Sequence, residues 1–254
     1  MFSVICVYNK KDVFESLLLK SLSQQTAPYE LIAIDNSKNQ YPSVTEALNE
    51  GGRRATGKYL MFVHQDVDFL SPTWLEEAER HLDAIPNLGA AGVAGARREG
   101  GKDFNSHLVG WIRGIGGDWG HEIAEPIKVQ TFDELILMTP RDVFLKTFFD
   151  STTFDFIHLF SSDYCLTVTK KGYDVYVIPG YLLHQSYGSF AGIDNYRLRL
   201  LWKHRDQLPI YTSCGKISYG KAWQFFILAH VGRGGAELIR KMRSQLKNLK
   251  ARYL

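Results

Sequence analysis

The stretch Lys58-Tyr59-Leu60-Met61-Phe62-Val63-His64-Gln65-Asp66-Val67-Asp68-Phe69-Leu70 decides the fold. Tyr59 to Val63 is an unbroken apolar run, the pattern of a strand buried on both faces of a parallel sheet. It stops at His64-Gln65-Asp66-Val67-Asp68, which sets one imidazole and two carboxylates at the carboxyl end of a central strand, where open α/β sheets hold their ligands. In an extended chain, spacing by two puts His64, Asp66 and Asp68 on one side. Imidazole and carboxylate together suit a divalent cation. The competing reading is a solvated strand end with ordinary turn acids.

Upstream, Phe2 to Tyr8 is rich in β-branched and aromatic residues and reads as a first strand. Asp12 to Gln25 carries Val13, Phe14, Leu17, Leu18 and Leu22 on one helical stripe, and Leu31 to Ile34 is a second strand ended by Asp35-Asn36-Ser37. Strand, helix and strand within about 30 residues make a βαβ unit, so the sheet begins parallel and right-handed. Ser43-Val44-Thr45-Glu46 has the form of a capping box and predicts a short helix through Leu48. A loop bearing Arg53 and Arg54 then leads to the central strand.

Downstream, Ser71-Pro72 opens a helix that Pro86-Asn87 stops after Ile85. Ala90 to Ala94 reads as a strand. Gly95 to Gly120 then holds eight glycines with Trp111 and Trp119 and no sustained period; a loop of this length in a compact domain is functional or disordered, and its aromatics point to a lid. Regular structure resumes with Ile127 to Phe132, Leu135 to Met138, a helix near Arg141 to Phe149, and another from Ser161-Ser162-Asp163 to a glycine stop at Gly172. Val175 to Ile178 and Tyr181 to His184 are further strands, and the chain is helical from about Asp194. Its last segment, from Gly232, sets Arg233, Arg240, Lys241, Arg243, Lys247, Lys250 and Arg252 against Glu237 alone.

Composition bounds the function. With 254 residues, 45% apolar and 22% charged, the chain builds one large globular domain or a domain with an appendage. A net charge of +3 does not argue for nucleic acid. Cys6, Cys165 and Cys214 are scattered, which reads as reduced thiols in a cytoplasmic protein. The opening residues lack the basic lead of a signal peptide, and Ala222 to Val231 is too short an apolar run to span a bilayer. His121-Glu122-Ile123-Ala124-Glu125 ends in Glu and adjoins Pro126, so it is no zinc-protease helix.

Several ordered motifs together resemble the family-2 inverting glycosyltransferases of GT-A fold. They are Val7-Tyr8-Asn9, Ile34-Asp35-Asn36-Ser37, Leu48-Asn49-Glu50-Gly51 before Gly57-Lys58-Tyr59, and Phe62-Val63-His64-Gln65-Asp66-Val67. Phe154-Asp155 with His158 to Asp163, Lys171-Gly172-Tyr173 and Leu183-His184 follow. The similarity runs from Phe2 to about Pro209, and the closest branch is the one with His-Gln-Asp in place of Asp-x-Asp. It implies an α/β, mostly parallel sheet flanked by helices over residues 1–209, and a helical basic extension over 210–254.

The resemblance also implies roles. Tyr8 packs on the nucleotide base and Asp35 accepts a base N–H, a pair that suits uracil or thymine, so UDP or dTDP is expected before GDP. Read without the family, Tyr8 is a core aromatic and Asp35 a turn acid. Asn9, Gln65 and His64 border the nucleotide, with Arg53 and Arg54 offsetting phosphate charge or simply solvated. Asp66 and His184, with Asp68 in support, hold Mn²⁺ or Mg²⁺. Trp111, Trp119, Asp133 and Glu134 face the acceptor or form the lid.

Inverting transfer needs a carboxylate to take the acceptor's proton. Ser161 stands where relatives carry the first acid, which leaves Asp163 as the base, with Asp155 in reserve; otherwise Asp163 is a helix N-terminal acid. The expected reaction moves a sugar from a nucleoside diphosphate to a hydroxyl of a glycan or lipid-linked acceptor, in cell-surface polysaccharide synthesis. The alternative, prompted by Ser161, is a nucleotide-sugar-binding scaffold that has lost catalysis. The basic C-terminal segment suits either the inner face of an anionic membrane, or a solvated helix or dimer contact.

Overall fold

The computed structural model describes residues 1–186 and 190–231. Strand β1 (Phe2–Tyr8) lies parallel to β2 (Tyr29–Asp35), in register from Phe2 opposite Tyr29 to Tyr8 opposite Asp35. Between them α1 (Lys11–Phe14), a π-helical turn (Glu15–Leu19) and α2 (Lys20–Leu22) bury Phe14, Leu18 and Leu22, three members of the expected stripe. Helix α3 (Val44–Arg54) opens on Ser43, whose hydroxyl accepts the Glu46 N–H at 3.0 Å.

The helix does not stop at Leu48. It continues through Gly51-Gly52 to Arg54, and both glycines press on neighbours that leave no room for a side chain. A Cβ would lie 2.5 Å from Ile5 Cγ2 at Gly51, and 2.2 Å from the Phe144 ring at Gly52. Close packing keeps these poor helix formers helical, a tertiary effect that outweighs local propensity.

The central strand is β3 (Tyr59–Val63), all five residues buried, followed by β4 (Val67–Asp68). Helix α4 (Trp74–Ala84) begins two residues after the expected Pro72 and buries Trp74, Leu75, Ala78 and Leu82. Strands β5 (Leu88–Gly92), β6 (Ala94–Ala96), β7 (Leu108–Gly114), β8 (Gly117–Gly120), β9 (Ile127–Lys128), β10 (Thr131–Phe132) and β11 (Ile136–Pro140) lead to the short α5 (Arg141–Phe144). Helix α6 (Phe160–Lys170) starts from Leu159, held left-handed at φ 59°, and ends at Gly172, φ 88°. Strands β12 (Asp174–Val177) and β13 (Leu183–His184) follow.

The main sheet has the order β2-β1-β3-β11-β5-β12-β9. Its strands run mostly one way, with β11 and β9 opposed. The central strand therefore has a parallel neighbour in β1 and an antiparallel one in β11. On one face Val4, Cys6, Met61, Val63 and Met138 pack with Leu18, Leu22, Trp74, Leu75 and Leu82 in the main core.

Gly95 to Gly120 is not a lid loop. It supplies β6, β7 and β8 to a second sheet ordered β10-β6-β7-β13-β4, in which β7 and β8 form a hairpin with Ile112 opposite Trp119. Two of its glycines permit this. Gly110, at φ 106°, would set a Cβ 2.0 Å from the Val93 carbonyl, and Gly120, at φ 78°, one 2.0 Å from the Gly110 carbonyl. Backbone approaches that close replace the apolar periodicity by which a strand is normally read.

Contacts divide the chain into two compact units, Met1–Ser189 with Tyr211–Lys216, and Phe190–Ile210 with Ile217–Leu254. The chain after Asp194 is not helical throughout. Helix α7 (Ile193–Lys203) is followed by a hairpin, β14 (Ile210–Thr212) and β15 (Gly215–Ile217), and by α8 (Tyr219–Val231). In the second unit, Arg197 pairs with Asp194 at 2.9 Å and lies over the Phe225 ring. The basic segment from Gly232 lies outside the described residues. Among those described, no helix is long and apolar enough to cross a membrane, and the three cysteines are free thiols.

Candidate functional site

The site forms where β1, β2 and β3 end. Gln65 ties two of these ends together, its carbonyl oxygen accepting the N–H groups of Asn9 and Lys10 at 3.1 and 3.0 Å and its amide donating to Asn9 Oδ1 at 2.9 Å. Asn9 and Gln65 therefore spend their side chains on each other and fix the turn after β1. The Asn36 N–H donates to the Tyr8 carbonyl at 2.8 Å, which joins the ends of β1 and β2. Tyr8 and Asp35 are thereby adjacent. One face of the Tyr8 ring stacks on Phe14 at 4.6 Å. The exposed Asp35 carboxylate accepts the Ser37 N–H at 2.8 Å, and the hydroxyl and N–H of Ser37 hold its pKa below the ordinary range.

After β3 the chain turns at Gln65-Asp66 instead of staying extended, so spacing by two does not govern here. His64, Asp66 and His184 converge, with ligand atoms all within 4.8 Å of one another. The β4–β13 ladder delivers His184 by pairing it with Val67, and the Gln185 N–H donates to the Asp66 carbonyl at 2.9 Å. His184 Nε2 stands 3.4 Å from Asp66 Oδ1, is sealed from solvent and has no hydrogen-bond partner. A buried nitrogen left unpaired beside a carboxylate is costly unless something else meets it; a divalent cation would. The donor set fits such an ion.

Asp68 does not join this cluster. Its carboxylate turns to the Leu70 N–H at 3.0 Å, the local bond that aspartate makes in turns. Burial of Asp66 alone would raise its pKa, but the adjacent His184 imidazole, by its proximity and charge, and then the charge of His64, hold it below the ordinary range. His184 is the converse: burial disfavours its cation, and Asp66 outweighs that and raises its pKa. Burial and the charge of His184 push the pKa of His64 down, against the opposing charges of Asp66 and Asp133.

The carboxyls Asp133 and Glu134 stand close by. The carbonyl of the next residue, Leu135, accepts the His64 N–H at 3.0 Å, and the charge of Asp133 acts on both His64 and His184. Asp133 accepts from the Leu135 N–H at 3.2 Å and from the Ser213 hydroxyl at 2.8 Å. Ser213 was not foreseen; it arrives on the β14–β15 hairpin, eighty residues along the chain from Asp133, and nothing in its local sequence announces it. Glu134 Oε1 is sealed without a hydrogen-bond partner. Burial and the neighbouring Asp133 push its pKa up to about 8, against the opposing pull of its own N–H, the Leu159 N–H and the Ser161 hydroxyl.

Those groups place Glu134 at the start of α6. Ser161, fully buried, donates to the Phe132 carbonyl at 2.9 Å. Asp163 sits one turn in at 3% exposure, and its N–H donates to the Leu159 carbonyl at 2.9 Å. Asp155 is exposed, just beyond the buried Phe154.

Arg53 and Arg54 are not brought to the site. Because α3 runs on to Arg54, they stand before the amino end of β3, while His64 follows its carboxyl end; five residues of strand, about 16 Å, separate those edges. Arg53 pairs with Glu50 at 3.6 Å and lies over the Phe148 ring. Trp111 and Trp119 lie on the strands of the β7–β8 hairpin and not in an irregular loop. Trp111 stacks on Tyr181 at 3.9 Å and donates to Asp118 Oδ2 at 3.1 Å.

A mixed α/β fold with a large central sheet flanked by helices is that of GT-A glycosyltransferases, and comparison with solved structures agrees on the fold. Mannosyltransferase PcManGT from Pyrobaculum calidifontis, in complex with GDP-Man and Mn²⁺, aligns at TM-score 0.56 and 15% identity over 98% of this chain and 75% of that one. TarS 1-349 of S. aureus in complex with UDP-GlcNAc aligns at 0.53 and 12% over 90% and 71%. GalNAc-T7 with UDP, GalNAc and Mn²⁺ aligns at 0.53 and 10% over 81% and 50%. Identities this low establish the shared fold. By sequence, residues 3–219 match the glycosyltransferase-like family, and the chain belongs to it. No curated protein matches by sequence.

Proposed function

We propose that this chain transfers a sugar from a nucleoside-diphosphate sugar to a hydroxyl group of a glycan or lipid-linked acceptor, with inversion at the anomeric carbon. The observation that carries the reading is the convergence of His64, Asp66 and His184 around the unpaired His184 nitrogen. The three would hold Mn²⁺ or Mg²⁺, which when bound offsets the charge of the donor diphosphate and of the departing nucleotide. That PcManGT and GalNAc-T7 have been captured with Mn²⁺ and with a nucleotide or nucleotide sugar supports the assignment.

The adjacent Tyr8 and Asp35 bind the base. An aromatic face and a carboxylate already held in its charged form suit a ring that offers one N–H between carbonyls, so UDP or dTDP is the expected donor nucleotide.

The proton acceptor is a carboxyl at the start of α6. Asp163 has the expected sequence position, but 3% exposure leaves it little access to an acceptor hydroxyl. We therefore assign the role to Glu134, which is half-buried where Asp163 is buried, stands beside the Ser161 that replaces the expected acid, and has a pKa pushed up to about 8. In the reaction the acceptor oxygen forms the new bond to the anomeric carbon as its proton passes to Glu134. The bond to the diphosphate breaks, and its electron pair leaves with the nucleotide.

Hydrolysis of UDP-GlcNAc and GDP-mannose in the presence of Mn²⁺, with water as acceptor, tests this. From an α-linked donor, proton NMR is expected to show the β anomer of the free sugar first. The α anomer appearing first would refute inversion. Absence of turnover together with retained nucleotide binding would favour the non-catalytic scaffold.

A further inference from the structure

Beside Trp111 of β7 lies a cavity of about 280 Å³, lined among others by Trp74, Glu77, Trp111, Glu122, Gly180 and Tyr181. Its walls are built rather than incidental. The rings of Trp111 and Tyr181 stack at 3.9 Å, and both polar tips are pinned by Asp118, whose Oδ2 accepts from the Trp111 indole at 3.1 Å and Oδ1 from the Tyr181 hydroxyl at 2.9 Å. Trp74 is 3% exposed, and its indole N–H is buried with no hydrogen-bond partner. Gly180 keeps that edge of the indole open, since a Cβ there would come within 3.1 Å of Trp74 Cζ2 and 3.4 Å of Cε2. Indole nitrogen is a donor only, and a buried donor without a partner marks a position where a ligand or water oxygen belongs.

We infer that this cavity binds a neutral saccharide unit. Rigid aromatic faces take the apolar face of a pyranose at little entropic cost, the two glutamates accept from ring hydroxyls, and the Trp74 N–H donates to one. Glu77 is half-committed, since it accepts the Thr73 hydroxyl at 2.6 Å. Among the described lining residues none is basic, which turns away the anionic donor. An organic cation would satisfy the rings and carboxylates but would leave the indole N–H unmet.

The position says which saccharide. Strands β4 and β13 pair Val67 with His184 and Asp68 with Leu183. The chain just outside them, Leu70 after β4 and Gly180-Tyr181 before β13, lines the cavity. Tyr181 precedes His184 by three residues, a span of at most about 10 Å in extended chain. A single acceptor oligosaccharide therefore reaches both, so the cavity holds a part of the acceptor remote from the reacting hydroxyl; that attribution rests on the transferase reading, whereas saccharide binding itself does not.

Saturation-transfer NMR on the full chain tests the inference with the methyl glycosides of mannose, galactose, N-acetylglucosamine and rhamnose, with tetramethylammonium as the cationic rival and UDP plus Mn²⁺ as an internal check. At least one glycoside is expected to show ring-proton transfer that falls at least about fivefold in Trp111→Ala and in the surface variant Glu122→Gln, with the UDP signal kept in Glu122→Gln. No transfer to any glycoside, transfer unchanged in both variants, or transfer to tetramethylammonium alone would overturn it. Failure of UDP to bind the wild type would count against the donor site, not against the cavity.

Discussion

Asp66→Asn is expected to abolish metal-dependent donor binding while leaving the fold intact. Asp66 contributes the anionic member of a cluster whose other two members, His64 and His184, are imidazoles. An asparagine keeps the shape and loses the charge. Losing a metal's outer-shell partner costs roughly 10- to 100-fold in affinity, and losing the only carboxylate among the ligands should cost more. Metal stabilisation of a departing phosphate is worth several kcal/mol, so at about 1.36 kcal/mol per decade turnover should fall by about two to three decades. Asp68→Asn serves as the control: its carboxylate holds the Leu70 N–H, outside the cluster. Calorimetry with Mn²⁺ and a nucleotide reads both variants, and equal losses in the two would contradict the assignment.

Glu134→Gln is expected to remove turnover at every pH and to flatten the dependence of stability on pH. A positioned general base contributes about 10²- to 10⁴-fold, so the loss should fall in that range with the substrate KM little changed. Because burial and Asp133 push the wild-type pKa up to about 8, the wild-type rate should rise with pH and level off near that value. The sign of the stability effect follows from the same shift. An unfolded glutamate ionises near 4.5, whereas the folded one keeps its proton to about 8. Its contribution is complete below 4.5 and is lost as pH rises through 8, at a slope of up to about 1.4 kcal/mol per pH unit. Chemical denaturation of wild type and Glu134→Gln across this window reads the difference. A rate profile flat from pH 6 to 9, with Asp163→Asn inactive and Glu134→Gln active, would return the role to Asp163.

The parts of the fold legible in sequence are those set by local order. The apolar run Tyr59–Val63 is β3 residue for residue, Ser43 caps α3, and Gly172 ends α6. Asp66 stands out as an acid at a strand end, whereas His184 comes forward only through the family resemblance, because its approach to Asp66 depends on the β4–β13 ladder. What stayed hidden depends on contacts between distant segments. Gly51 and Gly52 read as a break because propensity knows nothing of Ile5 and Phe144, and that one misreading put Arg53 and Arg54 on a loop near the site. The β7–β8 hairpin was hidden because glycine, chosen for close backbone approach, erases alternation. Ser213 reaches Asp133 through a hairpin whose return no periodicity records.

Titration of the wild-type chain with UDP, dTDP and GDP, each with Mn²⁺, with Mg²⁺ and with EDTA, tests most directly whether the cluster at the end of β3 is a metal-dependent donor site. One nucleotide, UDP or dTDP, is expected to bind with Mn²⁺ and at least roughly tenfold more weakly in EDTA. Equal binding with and without metal would remove the ion from His64, Asp66 and His184, and no binding of any nucleotide would contradict the donor site itself.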